Sequence, residues 1–320
     1  MAEAVISPGL FAQAQALSVR LLACLAIACL CAGQAAAGCR VEKRATVPVR
    51  LVDGAAVVDV VINDISVTMI LDTGADTTVL TASAAEQLRL APDSWVSTTL
   101  RGAGGRLDTH RVVTPASMRL GGVALRRRGV VTTPSLSVIS GTASGRQGGL
   151  LGENLLALFD LDLDLPARTL TLWSVQGCAG RFIPWDQPYD AVPIRLGMRS
   201  RSIPLVPLQL DGHPLTALLD TGASISFVNL RGMRAVGLTP TTLDSDQGVT
   251  ASVVGGRAAS RVHRFATMQI GSVVLREPVL LTAPVPTPIF DMLLGLDVWS
   301  THRLWISYAT SQIFIAHPGG

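Results

Sequence analysis

The amino-acid sequence predicts a mostly β protein built as two tandem lobes. Three observations predict it: an internal repeat, a β-rich composition, and short apolar runs separated by turn dipeptides. The repeat is the strongest of them. When Asp72 is slid onto Asp220, Asn63-Asp64 falls on Asp211-Gly212, Asp72-Thr73-Gly74-Ala75 on Asp220-Thr221-Gly222-Ala223, and Leu90-Ala91-Pro92 on Leu238-Thr239-Pro240, with no gap. Slightly different offsets match Gly104-Gly105-Arg106 to Gly255-Gly256-Arg257 and "MRLGGVALR" (118–126) to "MQIGSVVLR" (268–276). They also match "LLG" at 150–152 to "LLG" at 293–295. The same parts recur in the same order, which is how a duplicated structural unit reads.

Length and composition agree with this. A chain of 320 residues has room for two domains, each with its own core. Hydrophobic residues make up 48% and aromatic residues only 4%, and the 30 Gly and 18 Pro favour short strands and turns over long helices. The formal charge of +3 comes from scattered Arg, with Lys43 the sole lysine, so no basic stripe marks a nucleic-acid partner. The run Arg126-Arg127-Arg128 reads as a solvated strand end.

Taken in order, residues 1–38 read as a secretory signal. Arg20 precedes an apolar core, small residues precede a cut near Ala37, and the core is too short for a comfortable membrane span. Val19 offers an alternative start that would give a more compact leader. Cys24, Cys29 and Cys31 leave with the signal, so the mature chain keeps Cys39 and Cys178. In an oxidising compartment these two could pair. The rival reading is a lipidated Cys39, although the Leu usual three residues earlier is missing; only then is a membrane expected as a partner. The expected location is periplasmic or secreted.

The first lobe is expected over 46–175. "VPVRLV", "AAVVDVVI" and "ISVTMIL" are β-branched runs separated by Asp53-Gly54 and Asn63-Asp64, both hairpin dipeptides. A short helical stretch, "TASAAEQLRL", follows the first Asp-Thr-Gly. A Gly-rich strand-turn-strand comes next, and after "LLG" there is one helical turn or two in "ENLLALFD". "LDLDLPARTLTLW" then alternates like a hairpin around Pro166. A linker is expected at 176–190, where Gly, Pro and polar residues concentrate. The second lobe, 191–318, repeats the series with "VPIRL", "IPLVPLQL" and "PLTALL", then "NLRGMRAVGL" and "VGGR", and finally "DVWSTHRLWIS" and "SQIFIA".

A lone Asp-Thr-Gly is an ordinary turn. Two in register, each after an apolar strand, each followed by Ala and each paired with a later apolar-apolar-Gly, are hard to explain as turns. An apolar strand delivers the carboxylate to a buried position, Gly lets backbone N–H groups approach its oxygens, and the Thr hydroxyl fixes the turn. Brought together about a two-fold axis, Asp72 and Asp220 could not both ionise and would share one proton. One would then serve as base to a water while the other polarised a carbonyl, which is hydrolysis without a covalent intermediate.

On these motifs the chain resembles the retropepsin-like aspartic protease family, particularly its bacterial exported members, over about 46–175 and 190–316. The resemblance implies two small closed β lobes related by a pseudo-two-fold axis, and an aspartic endopeptidase acting on a peptide or protein substrate. It implies an Asp72/Asp220 dyad supported by Thr73, Gly74, Thr221 and Gly222, with Thr73 and Thr221 interlocking across the interface. Flaps are implied near 101–112 and 252–264, with Gly104, Gly105, Gly255 and Gly256 at their tips and Asp76 and Ser224 flanking the substrate. No cofactor or metal is implied, and a monomer with both loops in one chain is expected.

Some positions depart from the family pattern. Neither expected flap carries a Tyr. Ala75 and Ala223 stand where pepsin-like enzymes carry a hydroxyl, so a raised dyad pKa and activity in mild acid to neutral pH are expected. Asp76 faces no matching acid, because Ser224 occupies its place in the second half. The five His are dispersed without metal-ligand spacing, and Ser224 and Ser226 lack a nucleophile elbow. Trp173 and Trp299 read as core. The competing class is a non-catalytic peptide-binding or structural module of the cell envelope on the same fold. Against it stands the free energy of burying two acids together, which a binder has no need to incur.

Overall fold

The computed structural model describes residues 38–101, 107–125, 130–133, 148–197, 203–253 and 256–317. The leader residues 1–37, the Arg126–Arg128 run and most of 140–149 lie outside them. Among the described residues no helix is long and apolar enough to cross a membrane.

The hairpin dipeptides turn the chain where their chemistry predicts. Asp53 and Gly54 have φ of 51° and 80°, Asn63 and Asp64 of 47° and 64°, and Asp211 and Gly212 of 49° and 77°. Two successive left-handed residues make the tight turn whose twist matches that of paired strands, and Asn, Asp and Gly adopt it with least strain. Around these turns Ala55–Ile62 pairs antiparallel with Ile65–Leu71, and Pro204–Leu210 with His213–Leu219.

Each lobe forms a ten-stranded sheet, and the two sheets run through corresponding strands in the same order. Their inward Val, Leu, Ile and Met side chains form one continuous core that also takes in Leu161, Leu163, Leu304 and Ile306 from a third sheet. That third, six-stranded sheet joins the lobes, with strand order Arg40–Pro48, Thr169–Gln176, Asp160–Asp164, Arg303–Ser307, Gln312–Ala316 and Tyr189–Pro193. At its centre Leu161 faces Ile306, Asp162 faces Trp305 and Leu163 faces Leu304. The pseudo-two-fold axis passes here, where one hairpin meets its repeat.

The 176–190 stretch crosses the outer face of this third sheet. It places Phe182 and Trp185 against Trp305 and Phe314 with edge-on ring contacts, and Trp173 lies 5.1 Å from Trp305. Beneath the rings, Arg303 grips both oxygens of the buried Asp162 at 2.9 and 2.8 Å and stacks 4.7 Å from the Trp185 ring centre. Trp299 is fully buried in the main core, as its sequence context predicted.

Cys39 and Cys178 are bonded, with their Cα atoms 4.3 Å apart. The bridge lies beside the Arg40–Gln176 register pair and so ties the edge strand of the third sheet to its neighbour. It closes a loop with a sequence separation of 139. Replacing both cysteines by Ser is expected to lower the unfolding free energy by about 4–5 kcal/mol in the loop-entropy picture. The check is the urea midpoint, and an unchanged midpoint would mean that strand pairing alone holds this edge.

Candidate active site

Two parallel strand pairs bring the repeated acids into place. Ile65–Leu71 runs beside Gly149–Leu151, and the Asp72 N–H extends the ladder to the Leu151 carbonyl at 3.0 Å. In the other half His213–Leu219 runs beside Met292–Leu294, and the Asp220 N–H donates to the Leu294 carbonyl at 3.0 Å. The "LLG" segments are therefore the strands that hold the catalytic-type loops. A Cβ on Gly152 would lie 2.7 Å from the Thr77 carbonyl carbon, and one on Gly295 would lie 2.8 Å from the Ala223 oxygen. Only Gly fits under the loop in each case.

The two loops lock through their threonines. Thr73 Oγ1 donates to the Leu219 carbonyl at 2.8 Å and accepts the Thr221 N–H at 3.1 Å. Thr221 Oγ1 donates to the Leu71 carbonyl at 2.6 Å and accepts the Thr73 N–H at 3.2 Å. Both side chains are fully buried. Thr221→Ala would leave the Leu71 carbonyl and the Thr73 N–H unpaired inside the protein, at about 1–3 kcal/mol each. Expected is a destabilisation of about 3 kcal/mol, with Thr221→Ser restoring most of it, measured by denaturant titration. Equal stability of the Ala variant would mean that the lobes dock without this lock.

The lock sets the carboxyls face to face. A Cβ on Gly74 would stand 2.4 Å from Asp220 Cγ, and one on Gly222 would stand 2.5 Å from Asp72 Cγ. Each carboxyl thus lies against the glycine of the opposite loop, and the two share a hydrogen bond. The Gly74 N–H donates to Asp72 Oδ1 at 3.0 Å and the Gly222 N–H to Asp220 Oδ1 at 2.9 Å, with the Ala75 and Ala223 N–H groups adding to them. Asp72 is buried and Asp220 half-buried. Burial first, and then the Asp220 charge, hold Asp72 well above the ordinary carboxylate range. Burial also raises Asp220, while the hydrogen bond from Asp72 eases it back. The pair can hold one proton between them through the range where free carboxyls have lost theirs.

The other residues named from sequence fall around this centre. Asp76 is exposed beside it and accepts from Thr77 Oγ1 at 3.1 Å. Ser224 is also exposed, with its Cβ 3.0 Å from where a Cβ on Gly54 would stand, so the first lobe's Asp53-Gly54 turn abuts the second lobe's loop. The two flanks differ in charge, with Asp76 on one side and Ser224 on the other. The paired strands expected as flaps are Ser97–Arg101 with Leu107–Arg111 and Gln247–Val253 with Gly256–Val262, and each pairing begins before the span that the resemblance implies. Gly104, Gly105 and Gly255 lie outside the described residues, while Gly256 opens the returning strand of the second hairpin. Ser226 is no nucleophile candidate in this setting, since its hydroxyl is buried and donates to Asp297 Oδ1 at 2.6 Å.

Sequence reasoning missed a second layer. Thr78 N–H and Oγ1 both donate to Asn154 Oδ1, at 2.8 and 2.7 Å, and the Gly152 N–H donates to Thr78 Oγ1 at 3.1 Å. Ser226, Asp297 and Gly295 repeat this arrangement in the other half. The available signal was positional: a hydroxyl residue follows each Asp-Thr-Gly at matched spacing, and a side-chain acceptor follows each "LLG" by the same step. Glu153 was also missed. It is a fully buried acid between the first "LLG" and Asn154.

Comparison with known proteins agrees with the geometry. The aspartyl protease family matches residues 58–155 and 206–298, together more than half of the chain. DNA damage-inducible protein 1 of Kluyveromyces lactis is 29% identical over 111 residues, which is 35% of this chain and 26% of that protein. The similarity therefore spans about a quarter of that relative's length. The family match falls on each half separately, around the same loop and the same "LLG" strand, and the chain belongs to the retropepsin-like aspartyl proteases.

Proposed function

We propose that the chain is an aspartic endopeptidase in which Asp72 and Asp220 activate a water for attack on a peptide bond without a covalent intermediate. The observation that carries this reading is the mutual placement of the carboxyls, each against the opposite loop's glycine and hydrogen-bonded to the other. In the single-proton state, the ionised carboxyl takes a proton from the water as its oxygen bonds to the peptide carbon. The protonated carboxyl gives its proton to the carbonyl oxygen. Collapse of the tetrahedral intermediate returns a proton to the leaving nitrogen and restores the dyad. Both loops belong to one chain, so a monomer would suffice.

The strand pairs Ser97–Arg101 with Leu107–Arg111 and Gln247–Val253 with Gly256–Val262 belong to the proposed flaps that cover the substrate and exclude water. Asp76 and Ser224 are the proposed unequal flanks. Export to an oxidising compartment is proposed with it, supported by the Cys39–Cys178 bond. The test is incubation of the protein, from residue 39 onward, with an unstructured protein at about pH 4–7. Fragments should form with the native chain and be absent with Asp72→Asn and with Asp220→Asn. Cleavage that survives either change would remove the dyad from the mechanism.

A further inference from the structure

The two halves treat their acids differently one step behind the dyad. After Gly152 comes Glu153, and after Gly295 comes Leu296. Their backbones play the same part: the Glu153 N–H donates to the Ala75 carbonyl and the Leu296 N–H to the Ala223 carbonyl, both at 2.8 Å. Each residue is thereby tethered to the loop that carries one Asp. The second half fills the place with an apolar side chain, packed in a core that also holds Leu165. The first half buries a carboxyl there with no exposure. Leu165 and Tyr308 are matched too, since each follows the inner strand of its hairpin, Asp160–Asp164 or Arg303–Ser307. Tyr308 Oη donates to Glu153 Oε1 at 2.5 Å, while Glu153 Oε2 has no hydrogen-bond partner.

A buried carboxyl oxygen without a partner is unfavourable, and the other half shows that the fold accepts Leu instead. The ionisable groups bearing on Glu153 are Tyr308 from the last hairpin, Asp72 from the loop in front and, acting on Tyr308, Asp160 from the first hairpin. No cation pairs with it among the described residues. Three carboxyls, Asp220, Asp72 and Glu153, therefore stand in series, with no cation paired to them among the described residues.

We infer that Glu153 is a positioning residue that holds the shared proton of the dyad on Asp72, making Asp220 the carboxylate that accepts the proton from water. This rests on the protease reading of the site. The first negative charge settles on Asp220, which is half-buried and has the apolar Leu296 behind its loop. The second charge chooses between Asp72, hydrogen-bonded to that anion, and Glu153, one loop farther away with a Tyr hydroxyl already donating to it. Glu153 ionises first, and its charge then keeps the proton on Asp72. Burial pushes Glu153 up, the Tyr308 bond draws it down, and the two carboxyls are coupled, so a charge on either one raises the other. Repulsion is mutual, so an ionised Glu153 raises Asp72 in turn.

The test is the carboxyl titration of the dyad by NMR, with Asp carbon labelled, from about pH 3 to about pH 9, in the native chain, Glu153→Gln and Glu153→Leu. Gln keeps an oxygen for Tyr308 and nearly the same shape, and Leu copies the second half, so a failure of one variant to fold leaves the other. The upper step of the dyad is expected to fall by roughly one pH unit in both variants. The alkaline limb of kcat/KM should move with it. An unchanged upper step in Glu153→Gln would overturn the inference, even if stability changed, because a purely structural residue would alter only stability. A shifted step in a protein that cleaves nothing would support the proton assignment and defeat the protease reading alone.

Discussion

Asp72→Asn and Asp220→Asn should each lower kcat/KM for a cleavable peptide about a thousand-fold while raising the melting temperature. The activity loss follows from the division of labour in the pair. An amide neither takes a proton from water nor gives one to a carbonyl oxygen, and the remaining acid cannot do both. The stability gain has the same origin seen from the other side. Burial and mutual repulsion hold both carboxyls above their ordinary range, so folding works against two acids that would sooner ionise in water. An amide keeps a carbonyl oxygen for the Gly74 or Gly222 N–H and brings no charge. Calorimetry at neutral pH beside a peptide assay checks both halves. A variant that lost activity and stability together would mean that the carboxyls hold the loops in place.

Stability should fall steadily as the pH rises from about 4 toward neutrality. Asp72, Asp220, Glu153 and Asp160 are all raised, chiefly by burial. In the unfolded chain such groups lose their protons near pH 4, while in the folded chain they still hold them. The folded state therefore binds more protons above that pH. Each extra proton makes unfolding easier by about 1.4 kcal/mol per pH unit. The slope is set by how many of these raised groups still hold a proton, and it flattens as the folded groups titrate in turn.

Two other acids act in the opposite sense. Asp59 is lowered to about 2 by the Arg50 bond, with burial opposing. Burial would raise Asp190, but the Ser272 and His317 hydrogen bonds win and leave it lowered. Their contributions are present above the unfolded pKa and are lost as the pH falls through the folded one. Asp59 is well exposed, so solvent screening keeps its share small. A stability maximum near pH 4 is expected, with a shallower decline toward neutrality in Glu153→Gln. Melting temperatures across that range provide the check, and a profile flat from about pH 4 to about pH 8 would mean that the buried acids find relief elsewhere.

Most of the fold could be read residue by residue because its determinants are local. Alternation along Ala55–Ile62 separates the exposed Asp59 from its buried neighbours, and the Asn63-Asp64 and Asp211-Gly212 pairs select left-handed turns. The site was legible for a less local reason, the duplication, which turned two ordinary Asp-Thr-Gly turns into a matched pair. The strands expected as flaps are longer than the spacing indicates, because strand length depends on partners such as Val262 and Leu281, which pair with each other far along the chain from the Gly-rich tip.

By itself, then, the sequence determined the two β lobes, their turns, and Asp72 and Asp220 as a pair, since periodicity, turn chemistry and a repeat are carried by neighbours in the chain. Only the tertiary structure decided how that pair is made unequal: the Asp53-Gly54 turn against Ser224, and Tyr308 donating to Glu153. Such contacts join residues more than a hundred positions apart. Their energy depends on burial and on partners that meet only when the lobes close, so no local spacing announces them.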